Sequence, residues 1–116
     1  MFKIEIYEDN NGKSEIFDFI DILKNNPTKE NQLVLKKIDS YVDLLEEKGL
    51  FLKEPYVKKL DRNIWELRPK NVRIIFTDCF ANKFILLSIF KKKTRKTPKK
   101  EIAKAKSILK RCLEEG

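Results

Sequence analysis

Hydrophobic positions change period along the chain, from two to about 3.6, back to two, and finally to 3.6 again. Phe2, Ile4 and Ile6 alternate with Lys3, Glu5 and Tyr7, which predicts a half-buried strand. Asn10-Asn11-Gly12 breaks it, and Ser14 is placed to cap a helix carrying Ile16, Phe19, Ile20 and Leu23 on one face. That helix stops before Asn25-Asn26-Pro27. A longer one follows with Leu33, Val34, Ile38, Tyr41, Val42 and Leu45 at helical spacing and Gly49 as its stop. The period then returns to two in Tyr56–Leu60, Ile64–Arg68, Val72–Asp78 and Lys83–Phe90. Asp61-Arg62-Asn63, Pro69-Lys70-Asn71 and a longer turn near Ala81-Asn82 separate these strands. Thr97-Pro98 supplies a cap and a first-turn proline for a last helix bearing Ile102, Ala105, Ile108, Leu109 and Cys112. The expected fold is α+β, with an N-terminal strand and a helical pair packed on a small, twisted, mainly antiparallel sheet, and a closing C-terminal helix. There are no repeats and no linker, and residues 1–116 read as a single domain.

Strand parity gives two arginines a common side. Trp65 and Leu67 share one face of their strand, and Ile64, Glu66 and Arg68 share the other. Ile74 and Phe76 oppose Arg73, Ile75 and Thr77 in the next. A tight turn at Pro69-Lys70-Asn71 sets Arg68 nearly opposite Arg73. The Trp65/Leu67/Ile74/Phe76 side then packs on the helices, and the arginines face outward. Like charges opposite one another on paired strands are destabilising, so a carboxylate such as Glu66, or an absent polyanion, must offset them. A plain Arg68–Glu66 surface ion pair is the alternative, worth about 0–1 kcal/mol.

Composition changes the picture through charge placement. With 41% hydrophobic residues and twelve aromatics, the chain has the means to build a core despite 38% charge. Residues 1–54 hold 8 lysines against 12 acids, and residues 55–116 hold 18 Lys/Arg against 6 acids. Such asymmetry is an electrostatic footprint for nucleic acid. It is densest at Lys91–Lys100, where seven of ten residues are basic and none is acidic. Lys99 and Lys100 fall in the first turn of the last helix, where cations cost roughly 0.3–1 kcal/mol each unless an anion binds there. The opposite reading is a solvated basic surface. The N-terminus has no apolar signal core and no apolar run reaches spanning length, so a cytoplasmic protein is expected, without a membrane partner. Cys79 and Cys112 lack metal-ligand spacing and a histidine partner, so they read as reduced thiols; whether they come close is open.

The succession WELR, VRIIF, LLSIFKKKTRKTP and EIAKA resembles the HigB branch of the RelE/ParE toxin superfamily. The likeness spans most of the chain, with Val57–Ala105 its informative part. It implies a toxin of a type II toxin–antitoxin pair that cleaves mRNA, usually on the translating ribosome. It also implies a cognate helix-turn-helix antitoxin, HigA-like, that holds it inactive in a hetero-oligomer. Position by position, the fourth-strand arginine corresponds to Arg73, the basic pair after the last strand to Lys92 and Lys93, and the arginine ending the third strand to Arg68. Lys96 matches a basic position of the KTP motif. The chain departs from RelE in having Ile64 and Glu66 where RelE has lysines, and in lacking a C-terminal tyrosine.

No histidine is present, so paired-histidine ribonuclease chemistry is excluded. The scattered acids Asp61, Glu66, Asp78 and Glu101 do not suggest a two-metal centre, and no metal or other cofactor is expected. Attack by the 2′-hydroxyl of the RNA, with charge stabilised by arginine and lysine, remains. Arg73 is the expected contact to the scissile phosphate, because its fork matches two phosphate oxygens. Lys92 and Lys93 are candidates for general acid or second clamp, since clustered ammoniums ease one another's deprotonation. Lys91, Arg95, Lys96, Lys99 and Lys100 are candidate RNA contacts, and Glu54 and Glu66 candidate bases. Two alternatives stay open: a non-catalytic RNA- or DNA-binding module, and a ParE-like topoisomerase poison of the same fold.

Overall fold

The computed structural model describes residues 1–115. In chain order the elements are β1 (Lys3–Ile6), α1 (Glu15–Asn25), α2 (Lys29–Lys48), a 3-10 turn (Gly49–Phe51), β2 (Val57–Asp61), β3 (Ile64–Leu67), β4 (Val72–Phe80), β5 (Lys83–Lys91) and α3 (Lys99–Glu115). Local chemistry explains most of these boundaries. The Ser14 hydroxyl accepts the Phe17 N–H at 3.3 Å to start α1, and the Thr28 hydroxyl accepts the Asn31 N–H at 3.1 Å to start α2. Gly49 ends α2 at φ +57°, and a Cβ there would run into the Phe2 ring, so the stop and the docking of the N-terminus share one glycine.

One five-stranded sheet runs in the order β1-β5-β4-β3-β2. Its meander β2-β3-β4-β5 is antiparallel, and β1 adds in parallel to β5, with Ile4 opposite Phe84. The expected α+β class and mainly antiparallel sheet are therefore what the chain forms. The β4–β5 link is shorter than expected: two residues, Ala81-Asn82, with Asn82 at φ +57°.

Both faces of the sheet are covered. Leu67, Ile74, Phe76, Phe84, Leu86 and Ile89 pack against α1 and α2, the side that parity assigned to the helices. Ile64, Ile75, Ile85 and Leu87 pack against Ala105, Ile108 and Leu109 of α3 on the other side. A register shift in the β4–β5 ladder, between the pairs Ile75↔Ser88 and Phe76↔Leu86, inserts one extra residue in β5. Phe84 and Leu86 thus share a face with Ile89, and Ile85 and Leu87 with Phe90.

The α3 layer is tied on by charge as well as by apolar contact. Glu15 accepts the Ile89 N–H at 3.2 Å and the Lys104 ammonium at 2.9 Å, joining α1, β5 and α3. Lys106 pairs with Asp61 at the end of β2. Cys79 and Cys112 are free thiols, both half-buried against the α3-side core. Among the described residues no helix is long and apolar enough to cross a membrane.

Candidate nucleic-acid interface

The β3–β4 hairpin places the arginine pair. Leu67 lies opposite Ile74 and Glu66 opposite Ile75, so continuing the register brings Arg68 beside Arg73, as parity expected. Their exposure differs from the expectation. Arg73 is only 7% exposed, because the 92–98 segment closes over that side of the sheet. Its Nη1 donates to the carbonyls of Lys70, at 2.9 Å, and Val72, at 2.8 Å. Lys70 holds φ +52° in the hairpin turn, so Arg73 braces a backbone conformation that a side chain disfavours. Burial pulls the Arg73 guanidinium below its ordinary value; Arg68 adds to the shift, and Glu66 opposes it.

Arg68 is the more accessible of the two, with its side chain 22% exposed. Its N–H donates to the Tyr56 carbonyl at 2.9 Å, and the Tyr56 ring packs at a tilt against Tyr41 of α2. Its Nε stands 3.5 Å from Glu66 Oε1, and its Nη1 4.0 Å from the exposed Glu54.

Glu66 is at the centre. It is 1% exposed, and its Oε1 faces both guanidiniums, 3.5 Å from Arg68 Nε and 3.9 Å from Arg73 Nε. Its Oε2 accepts from the Thr97 hydroxyl at 2.5 Å. The surface ion pair considered from sequence is thus a buried carboxylate between two arginines, because α3 and the basic segment cover this end of the face. Thr97, expected to cap α3, uses its hydroxyl on Glu66. The Pro98 carbonyl receives the first helical N–H groups, from Glu101 at 3.0 Å and Ile102 at 3.3 Å.

The basic segment is held at its start by the Lys92 N–H on the Asn71 carbonyl, 2.8 Å, and internally by Thr94 Oγ1 on the Lys96 carbonyl, 2.7 Å. Between it and the sheet lies a cavity of about 10 Å³ touching Arg73, Lys92, Lys93 and Thr97. That volume holds no more than about one water, and a phosphate does not fit. Alongside it opens a groove of about 210 Å³ lined by Lys58, Glu66, Arg68, Arg95, Lys96 and Thr97.

The candidates therefore separate. Arg68, Arg95 and Lys96 come together in the groove, Lys92 and Lys93 line the small cavity, and Arg73 and Glu66 form the floor. Lys91 stands opposite Val72, whose side chain belongs to the α1/α2 core, and so lies on the other side of the sheet. Lys99 and Lys100 are exposed at the start of α3 and line neither space. Glu54 is 68% exposed and outside the groove lining. Lys58 was missed from sequence. It pairs with Glu66 across β2–β3, so it shares the arginine face, and its place next to buried Val57 was a readable signal. Among the described residues no three His, Cys, Asp or Glu side chains gather as a cation site.

No match to the chain is found among curated proteins. The phage-derived protein Gp49-like (DUF891) family matches residues 21–110, from α1 through the basic segment and most of α3. With that span including every groove residue, the chain belongs to the phage-derived Gp49-like family, a family of RelE/HigB-like toxins of toxin–antitoxin systems.

Proposed function

We propose that the protein is the toxin of a type II toxin–antitoxin pair, an endoribonuclease of the HigB kind that cuts mRNA on the translating ribosome until a HigA-like antitoxin binds it. The observation that carries this reading is the groove. Five cations, Lys58, Lys59, Arg68, Arg95 and Lys96, line a space of about 210 Å³ whose one carboxylate, Glu66, is buried under the basic segment. An RNA phosphate fits such a site by charge and by volume.

Arg68 takes the scissile phosphate, with Lys96 and Arg95 beside it. Arg73, tied to the hairpin carbonyls, supplies positive potential from beneath. In the reaction the 2′-hydroxyl gives up its proton and its oxygen attacks the adjacent phosphorus. The bond to the 5′-oxygen breaks and that oxygen is protonated, leaving a 2′,3′-cyclic phosphate and a free 5′-hydroxyl. The guanidinium and ammonium groups stabilise the charge that builds on the non-bridging oxygens. With no histidine in the chain, proton transfer falls to Lys96, Lys92 or Lys93, or to the ribosomal RNA around the substrate.

The test is induced expression followed by primer extension on cellular mRNA. New 5′ ends in translated messages are expected, with Arg68→Ala about a hundredfold weaker while remaining folded. Growth arrest without new 5′ ends refutes the ribonuclease reading and favours topoisomerase poisoning.

A further inference from the structure

We propose that Glu66 and Thr97 form a latch that positions the cations of the basic segment over the arginine floor; as a functional device it rests on the ribonuclease reading above. Residues 92–98 connect β5 to α3 as a run without regular structure, with every residue from Lys92 to Lys96 exposed. Five residues of mostly like charge repel one another and favour an extended, mobile chain. The backbone bond from Lys92 to Asn71 fixes one end. At the other end, the only side-chain hydrogen bond from this run to the sheet, among the described residues, is Thr97 Oγ1 to Glu66 Oε2 at 2.5 Å.

That bond has the length of a charge-assisted contact to a carboxylate, and it lies under the surface, where competition from water is weak. It also reaches past the segment. Thr97 precedes Pro98, whose carbonyl begins the α3 hydrogen-bond ladder, so a single hydroxyl sets where the loop ends and where the helix starts. The same carboxylate stands between Arg68 and Arg73. Glu66 therefore couples three things: the approach of the two guanidiniums, the docking of the loop, and the distance from Arg68 to Arg95 and Lys96 across the groove. Glu66 is a positioning residue. Its oxygens face protein groups and it need not touch RNA.

Thr97→Val removes the hydroxyl at nearly constant shape, and Thr97→Ser keeps it. The loss of one hydrogen bond to a buried carboxylate shifts the loop's undocked-to-docked ratio by about tenfold. Two readouts follow this. Limited trypsin digestion reports the loop directly, since Lys92, Lys93, Arg95 and Lys96 are cleavage sites. Cleavage there is expected to be about tenfold faster in Thr97→Val and within about twofold of the parent in Thr97→Ser. Cleavage of a model message on ribosomes reports position: without the bond, Arg95 and Lys96 lose their set distance from Arg68 even in the docked loop, so kcat/KM is about tenfold lower in Thr97→Val and restored in Thr97→Ser. Equal trypsin rates for the parent and Thr97→Val overturn the latch, whatever the RNA assay gives. A looser loop with undiminished RNA cleavage overturns the positioning role. If the parent itself cuts no RNA, the ribonuclease reading and the positioning role fall together, and trypsin still decides whether the latch exists.

Discussion

Replacing Glu66 with Gln isolates the charge at the floor of the groove. Glutamine keeps an oxygen for the Thr97 hydroxyl and changes little in volume, but leaves Arg68 and Arg73 side by side on adjacent strands with no anion between them. Removing one partner of a buried pair costs about 3–5 kcal/mol. Two features here pull the figure down. The distances of 3.5 and 3.9 Å are ion-pair contacts outside good hydrogen-bond range, and the Arg68 side chain retains 22% of its exposure. A loss of about 2–3 kcal/mol follows. For a chain of this length that is roughly 6–18 °C in Tm. Urea and thermal unfolding of the purified protein measure it. Adding Arg68→Gln should recover much of it, because the repulsion then has no second partner. If Glu66→Gln is within about 0.5 kcal/mol of the parent, the carboxylate does not offset the arginine pair, and the electrostatic account of the floor is wrong.

Gly49→Ala is expected to cost about 2–4 kcal/mol by urea unfolding, since the Cβ meets the Phe2 ring and the residue sits at φ +57°. Lys58→Ala should weaken RNA binding and lower the slope of log K against log salt by about 1, with Tm unchanged; an unaltered slope removes Lys58 from the interface. Alkaline pH should loosen α3. Burial raises the Cys112 thiol above its ordinary 9.0, and Lys104 is raised above 10.5 because Glu15 and Glu101 outweigh the opposing effect of burial. Both groups hold their proton better folded than unfolded. Their contribution is complete below those values and disappears as pH rises past 9 and then past 10.5. Melting curves from pH 8 to 11 check this, with Cys112→Ala and Lys104→Gln each flattening its own part of the decline.

Parity and capping residues made much of this architecture legible in the sequence. Ser14 and Gly49 mark their helices, and alternation in Ile64–Arg68 and Val72–Asp78 puts Arg68 and Arg73 on one side. What alternation does not carry is what lies over that side. Arg73 was expected at the surface because nothing local to β4 reports that the 92–98 segment, some twenty residues on, folds across it. Thr97 illustrates the same limit. Its neighbours make it look like a helix cap, and the competing acceptor is Glu66, 31 residues earlier. The extra residue near Ser88 also resists local reading, because an apolar run such as FILLSIF has no polar positions to show where its faces exchange. Membership of a toxin family was readable from the motif around KKKTRKTP. The division of labour between an accessible Arg68 and a buried Arg73 was not.

The parallel pairing of β1 with β5 sets an order in time. Residues 3–6 wait for partners at residues 83–86, so the sheet closes only after roughly 80 further residues are made. At about 5–20 residues per second that delay is about 4–16 s. The first part of the chain to be made is the acidic half, residues 1–54 with 8 lysines against 12 carboxylates, which ribosomal RNA repels. Arg95, Lys96 and Thr97, which complete the groove, are made only after β5. A chain built this way completes its sheet and its basic groove only when synthesis is almost done.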